Sequence, residues 1–224
     1  MKYSIVIPAK DEAERIGGTI ESLKREFGGD AEIIVVDDGS VDGTSEVSAS
    51  RGAKVVRHDA NRGKGAAVKT GFKEASCDII GFVDADGSTD VKDVKRVFDL
   101  TREYDVVIAS RRIKGAILPV DQGLPRKIFG WLMRCYVNLM FNLGIVDTQC
   151  GCKALRKEAA KKIASGMRRD GFEFDVEMLW LAKKMGYSVK ETGVTWTDNK
   201  KSRVSPLRDS VKMMIGLISV RLDV

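Results

Sequence analysis

The sequence predicts an α/β fold, a mostly parallel twisted sheet flanked by helices. Three observations carry this. Strand-like and helix-like segments alternate over the first 110 residues. Most strand segments are continuous apolar runs, as strands covered on both faces require. Three of them end in acidic or turn-forming clusters, at the carboxyl edge where such sheets bind ligands.

The elements follow in order. Residues 3–8 read as a buried strand. Helical spacing then runs from Asp11 to about Phe27 and stops at Gly28-Gly29. A second strand spans 32–36, a short helix 42–51, and a third strand 53–57. A helix over 63–76 leads to a fourth strand at 79–83. A helix near 90–102 precedes a fifth strand at 105–109. Right-handed crossovers are expected between parallel neighbours.

Beyond residue 110 the pattern changes. Residues 111–126 are polar, carry two glycines and two prolines, and read as a long functional loop. Residues 128–146 read as a helix with one formal charge. Arg134, Asn138 and Asn142 recur every four residues on one face; Trp131, Tyr136 and Phe141 belong to a wide apolar sector. Such a helix suits a membrane interface or packing on the sheet, and its length also admits a span. Helices near 157–165 and 174–186, a strand at 188–194 and an amphipathic helix after Pro206 complete the chain. No linker is evident, so one domain over 1–224 is expected.

At 224 residues, 43% hydrophobic and 31% charged, the chain suits an ordinary soluble globular protein. Its net charge of +6 is unevenly spread. Residues 1–100 hold 15 Lys/Arg against 19 Asp/Glu, and residues 101–224 hold 23 against 13. An acidic first half suits a metal ion; a basic second half suits phosphates and anionic membrane. No nucleic-acid partner is expected. The start, Met1-Lys2-Tyr3, runs straight into a strand pattern, so no secretory leader is read. Cys150-Gly151-Cys152 has neither zinc spacing nor a nearby histidine, so the four cysteines are expected as reduced, structural thiols in a cytoplasmic protein. His58 is the only histidine, which argues against histidine-based metal or nucleophile chemistry.

Asp84-Ala85-Asp86 carries the strongest chemistry. Two carboxylates one residue apart at a strand end can grip Mg2+ or Mn2+, ions that share such ligands with substrate phosphates. In Asp37-Asp38-Gly39-Ser40, Asp37 is placed to accept hydrogen bonds from a ribose or base, and Ser40 to cap the next helix. In Pro8-Ala9-Lys10-Asp11-Glu12, Asp11 is placed to cap its helix and Glu12 to point into the cleft. Asn61-Arg62-Gly63-Lys64-Gly65 precedes a helix and invites a phosphate-loop reading. It lacks the G-x4-G-K-[S/T] spacing, and no G-x-G-x-x-G follows the first strand, so kinase-type and nicotinamide readings are weak.

Val6-Ile7-Pro8-Ala9 with Glu12, Val36-Asp37-Asp38-Gly39-Ser40, Asn61 through Ala67 and Asp84-Ala85-Asp86 together resemble glycosyltransferase family 2, in particular its polyprenyl-phosphate sugar transferases. Asp147-Thr148-Gln149-Cys150-Gly151-Cys152-Lys153 resembles the D-T-Q-C-G-F-K segment of dolichyl-phosphate glucosyltransferases, with Cys152 in place of the aromatic. Phe174-Asp175-Val176-Glu177 and Val194-Thr195-Trp196 match the same branch.

The resemblance implies a GT-A fold, with a nucleotide-sugar-binding half at 1–110 and an acceptor-binding half at 111–224. It implies a nucleotide diphosphate sugar held along Pro8, Ala9, Glu12, Asp37, Asp38, Lys64 and Ala85, and Mg2+ or Mn2+ held by Asp84 and Asp86. Ser88 stands where relatives can place a metal-binding Gln. The acceptor implied is a polyprenyl or dolichyl phosphate gripped by Arg111, Arg126 and Arg203, and the expected catalytic residues are Asp86, Arg111 and Arg126. UDP-glucose is the expected donor and GDP-mannose the alternative. An ionised phosphate acceptor needs little general-base help, so direct inverting attack is expected. Attachment at the cytoplasmic face of a membrane would rest on amphipathic helices, basic patches or a membrane-anchoring partner protein. Two other classes compete. A sugar nucleotidyltransferase would carry a glycine- and arginine-rich loop after the first strand, and a non-catalytic binding module would not need both aspartates.

Overall fold

A computed structural model describes residues 2–118, 124–197 and 206–223, with the side chains of 124–129 and 206–212 outside that description. The strands are β1 (Tyr3–Ala9), β2 (Ala31–Asp37), β3 (Lys54–Arg57), β4 (Ile79–Val83), β5 (Val106–Ser110), β6 (Cys152–Arg156) and β7 (Val189–Gly193). The helices are α1 (Ala13–Phe27), α2 (Thr44–Ser50), α3 (Lys64–Glu74), α4 (Val91–Asp99), α5 (Leu124–Phe141), α6 (Lys157–Gly166), α7 (Phe174–Lys184) and α8 (Pro206–Asp223).

The strands form one sheet in the order β3-β2-β1-β4-β6-β5-β7. β6 runs antiparallel to β4 and β5, and the other pairs are parallel. Successive side chains alternate between faces, and both faces are covered. Val6, Ile34, Val36 and Phe82 pack with residues of α3, α6 and α7. Ile5, Ile7, Val35 and Val83 pack with residues of α1 and α4. This two-sided burial is why the strands read as unbroken apolar runs.

β6 is an element the sequence pattern does not reveal. Its second residue, Lys153, is fully buried, and its ammonium lies 2.5 Å from Asp175 Oδ1 and donates to the Cys150 carbonyl at 2.9 Å. A charge matched from a distant helix breaks the apolar run that marks the other strands.

The helix expected over 128–146 is shifted. It begins at Leu124, with Pro125 tolerated in the first turn, and ends at Phe141. Asn142 and Gly144 take positive φ, 45° and 70°, which halts helical propagation. Met133, Val137 and Phe141 of α5 pack against Met213, Leu217 and Val220 of α8 and Val176 of α7. Trp131, Leu132 and Leu139 remain exposed on α5, as do Met214, Ile215, Ile218 and Leu222 on α8. Among the described residues no helix is long and apolar enough to cross a membrane.

Candidate active site

A cleft of about 380 Å3 opens at the carboxyl ends of β1, β2 and β4. Pro8, Ala9, Glu12, Asp38, Lys64, Asp84, Ala85 and Asp86 all line it. Eight of the nine residues expected to meet a nucleotide sugar therefore share one wall system, brought together because their strands are parallel neighbours.

Asp37 is the exception. It is fully buried, and its carboxylate accepts hydrogen bonds from Ser40 N (2.8 Å) and the Ser45 hydroxyl, with Arg57 at 3.8 Å. Burial alone would raise its pKa; the serine hydrogen bonds and Arg57 outweigh it and hold the group below the usual carboxylate range. Asp37 thus builds the turn, and Asp38 faces the cleft. Asp38 accepts from Arg62 N at 2.9 Å and Gly63 N at 2.7 Å, and pairs with His58 Nδ1 at 2.7 Å. His58 Nε2 lies 3.0 Å from Thr70 Oγ1, so the lone histidine is a buried strut.

The expected caps are exchanged between loops. Asp11 does not cap α1, and Ser40 does not cap α2. Instead Asp11 N donates to Ser40 Oγ (2.8 Å), Glu12 N to Thr44 Oγ1 (2.8 Å) and Ala13 N to Asp42 Oδ2 (3.2 Å). Asp11 Oδ1 in turn accepts from Val41 N at 2.8 Å. The β1–α1 and β2–α2 loops are locked into one rigid rim. Glu12 lines the cleft with its carboxylate 2.5 Å from Arg15.

The glycine-rich loop before α3 is not a phosphate loop. Arg62 and Gly63 donate their N–H groups to Asp38, and Gly65 and Ala66 donate theirs to the Asp170 carbonyl at 2.7 and 3.3 Å. A β-carbon at Gly63 would stand 2.3 Å from that carbonyl oxygen, and Gly63 has φ +105°. The glycines let α3 meet the 169–171 segment closely, which aims Lys64 into the cleft.

Lys64 Nζ lies 2.5 Å from Asp84 Oδ1 and over the rings of Phe82 and Phe174, at 5.8 and 6.0 Å. Burial alone would lower its pKa, but Asp84, Asp175 and Asp86 outweigh this and raise it, so the side chain is a fixed cation. Asp84 N donates to Gly151 O at 2.9 Å, and Asp86 Oδ1 accepts from Ser88 N at 2.9 Å. Ser88 is buried, and its hydroxyl has no hydrogen-bond partner among the described residues.

No cluster of three or more His, Cys, Asp or Glu able to cage a metal occurs among the described residues. Asp84 and Asp86 offer hard oxygen ligands from one strand end. That donor set fits an ion that completes its shell with ligand phosphates and water, as Mg2+ and Mn2+ do.

The arginines divide differently from expectation. Arg111 closes its fork on buried Asp147, with Nε and Nη2 each 2.8 Å from a carboxylate oxygen, and it stacks 5.3 Å from Trp196. Glu191 braces Asp147 by accepting its N–H at 2.9 Å. Arg111 is therefore a structural arginine rather than an open phosphate clamp. Arg126 lies on α5 with its side chain outside the described residues, and Arg203 lies outside them altogether.

Two arginines not singled out as site residues from the sequence, Arg112 and Arg134, approach each other beside α5. A β-carbon at Gly130 would be 3.1 Å from Arg112 Nη2 and 3.9 Å from Arg134 Nη1. Arg134 Nη1 is buried without a hydrogen-bond partner among the described residues. Burial, and then the neighbouring Arg134 charge, lower the pKa of Arg112. Two guanidinium groups this close repel, and an anion would relieve that repulsion through charge-assisted hydrogen bonds. The available signal was the doubled Arg111-Arg112 at a strand end, where only three-dimensional pairing separates the roles.

Residues 4–164 match the family model for glycosyl transferase family 2. An uncharacterized protein of Methanocaldococcus jannaschii is 36% identical over 225 residues, covering 97% of this chain and 91% of the relative. The dolichyl-phosphate beta-glucosyltransferase of Dictyostelium discoideum is 30% identical over 239 residues, covering 97% and 73%. The glucosyl-3-phosphoglycerate synthase of Mycobacterium tuberculosis, solved with Mn2+, UDP and phosphoglyceric acid, superposes with a TM-score of 0.76 at 20% identity, covering 99% of this chain and 77% of that one. That likeness shows the shared GT-A fold. With the family model covering more than half of its length, this chain belongs to glycosyl transferase family 2.

Proposed function

We propose that this chain is an inverting hexosyltransferase that moves glucose from UDP-glucose onto a polyprenyl or dolichyl phosphate at the cytoplasmic face of a membrane. One observation carries the chemistry: Asp84, Asp86 and Lys64 converge in a single cleft at the carboxyl end of the sheet. The similarity to a dolichyl-phosphate beta-glucosyltransferase over 97% of the chain supports glucose as the sugar and a dolichyl-type phosphate as the acceptor.

Asp84 and Asp86 would hold Mg2+ or Mn2+, which when bound supplies positive charge for the diphosphate leaving group. Lys64 adds a fixed cation on the same side. Asp38, oriented by His58, Arg62 N and Gly63 N, faces the nucleoside end of the cleft. The acceptor phosphate is ionised at neutral pH and can attack the anomeric carbon without a general base. The geometry agrees with this, since His58, the lone histidine, is held by Asp38 and Thr70. Arg112 and Arg134 would receive the acceptor phosphate, and positioning plus charge stabilisation supply the rate.

Exposed Trp131 and Leu139 on α5, with Ile215 and Leu222 on α8, offer an apolar surface for the acyl boundary of a membrane. A panel of UDP-glucose, GDP-mannose and other sugar nucleotides, each with polyprenyl phosphate in membranes, tests the reading. Glucosyl transfer is expected. A GDP-mannose preference corrects the donor, and no lipid-linked sugar from any donor contradicts the proposal.

A further inference from the structure

We propose that Lys64 is a resident counter-cation of Asp84, displaced only when a divalent ion and a diphosphate arrive together. This deepens the function proposed above and rests on it. Asp84 has two oxygens. Oδ2 lies against Gly151, so close that a β-carbon there would be 1.8 Å away. Oδ1 is taken by Lys64 Nζ at 2.5 Å. A metal ion seeking Asp84 therefore competes with an ammonium already in place.

The surroundings make that ammonium hard to displace alone. Its side chain is only 21% exposed, and its ammonium lies over the adjoining rings of Phe82 and Phe174. The nearby acid, Asp175, is already engaged by buried Lys153 at 2.5 Å. If the ion entered by itself, Lys64 would lose its closest anion and face a dication across a partly buried cleft. A diphosphate removes this conflict, because its oxygens offer the released ammonium a new partner and share the metal. Metal and nucleotide then bind with positive coupling, and by linkage the coupling is reciprocal. The resting site is kept charge-balanced without a metal, and the ion enters with the donor.

Mn2+ titration followed by electron paramagnetic resonance tests this on the full chain. Wild type, Lys64→Gln and the charge-retaining Lys64→Arg are compared without nucleotide and with saturating UDP or GDP. Lys64→Gln should bind Mn2+ alone at least about fivefold more tightly than wild type, a typical lower bound for coupling between sites. Lys64→Arg should stay near wild type, and the gain from nucleotide should shrink in Lys64→Gln. If that variant does not fold, Lys64→Met takes its place under the same criteria. Equal or weaker Mn2+ binding by the charge-free variant, with wild type binding Mn2+ and nucleotide normally, overturns the Lys64 proposal alone. Absence of Mn2+ binding to wild type even with either nucleotide overturns the metal reading and this proposal together.

Discussion

Gly151 and the Asp84 carboxylate lie closer than any side chain at 151 would allow: a β-carbon there would overlap Asp84 Oδ2 at 1.8 Å. The Asp147–Lys153 segment is thus a wall built against a carboxylate of the cleft. Its neighbour Cys150 is buried, and burial pushes its thiol up to about 12, so it packs rather than reacts.

Gly151→Ala separates chemistry from folding. What it meets is the whole Asp84 carboxyl group, Oδ2 at 1.8, Cγ at 2.2 and Oδ1 at 2.8 Å, with no backbone atom among them, so the side chain is driven out of place while the melting temperature should change little. The displaced Asp84 should cost about 100- to 1000-fold in transfer rate, the range seen for loss of a group that stabilises transition-state charge. A wild-type rate in Gly151→Ala would show that Asp84 need not hold this position.

Arg112 and Arg111 should respond in opposite ways. Arg112→Ala and Arg134→Ala should raise the KM for polyprenyl phosphate with little effect on thermal stability. Arg111→Ala strands buried Asp147 and should destabilise the fold by about 3–5 kcal/mol, as for a broken buried pair. Urea unfolding with acceptor titrations checks both. An unchanged acceptor KM in Arg112→Ala/Arg134→Ala removes that pair from the acceptor site.

The Arg111–Asp147 pair also predicts a pH dependence. Burial alone would raise the pKa of Asp147, but the Arg111 hydrogen bonds and charge outweigh it and depress it. A depressed folded-state value adds stability above the unfolded pKa of about 3.9, and that stability is lost as pH falls through the folded value. The stability gap between wild type and Asp147→Asn should therefore be full at neutral pH and narrow below about pH 4. Urea midpoints across pH measure it, and a gap independent of pH contradicts the assignment.

The membrane docking proposed for α5 and α8 predicts flotation of the protein with anionic liposomes. Trp131→Asp combined with Ile215→Asp should abolish flotation and leave the fold intact, because both side chains are exposed, at 55% and 62%. Undiminished flotation would assign membrane attachment to another surface.

Much of this architecture was legible in the sequence, and the exceptions share a cause. β1, β2, β4 and β5 announced themselves because two-sided burial demands unbroken apolar runs. β6 did not, because Lys153 is balanced by Asp175, 22 residues away in sequence. The acidic strand ends located the cleft, yet nothing in Asp37-Asp38 says which carboxylate turns inward; that depends on Ser40, Ser45 and Arg57 closing on Asp37. Gly63 and Gly65, on either side of Lys64, looked like phosphate ligands because the groups that occupy their N–H donors are distant in sequence: Asp38 for Gly63, and for Gly65 the Asp170 carbonyl, more than 100 residues downstream. Likewise, Arg111 and Arg112 are indistinguishable until Asp147 selects one. Local pattern reports burial and turns; the pairing of charges is a long-range property.

The most direct test of the metal clamp proposed for Asp84 and Asp86 is lipid-linked sugar formation from UDP-glucose and polyprenyl phosphate after metal removal with EDTA. Wild type should fall silent and recover with added Mg2+ or Mn2+, whereas Asp84→Asn/Asp86→Asn should stay silent at any concentration of either ion. Transfer that survives EDTA, or a double variant that works at the wild-type rate, would contradict the role given to these carboxylates.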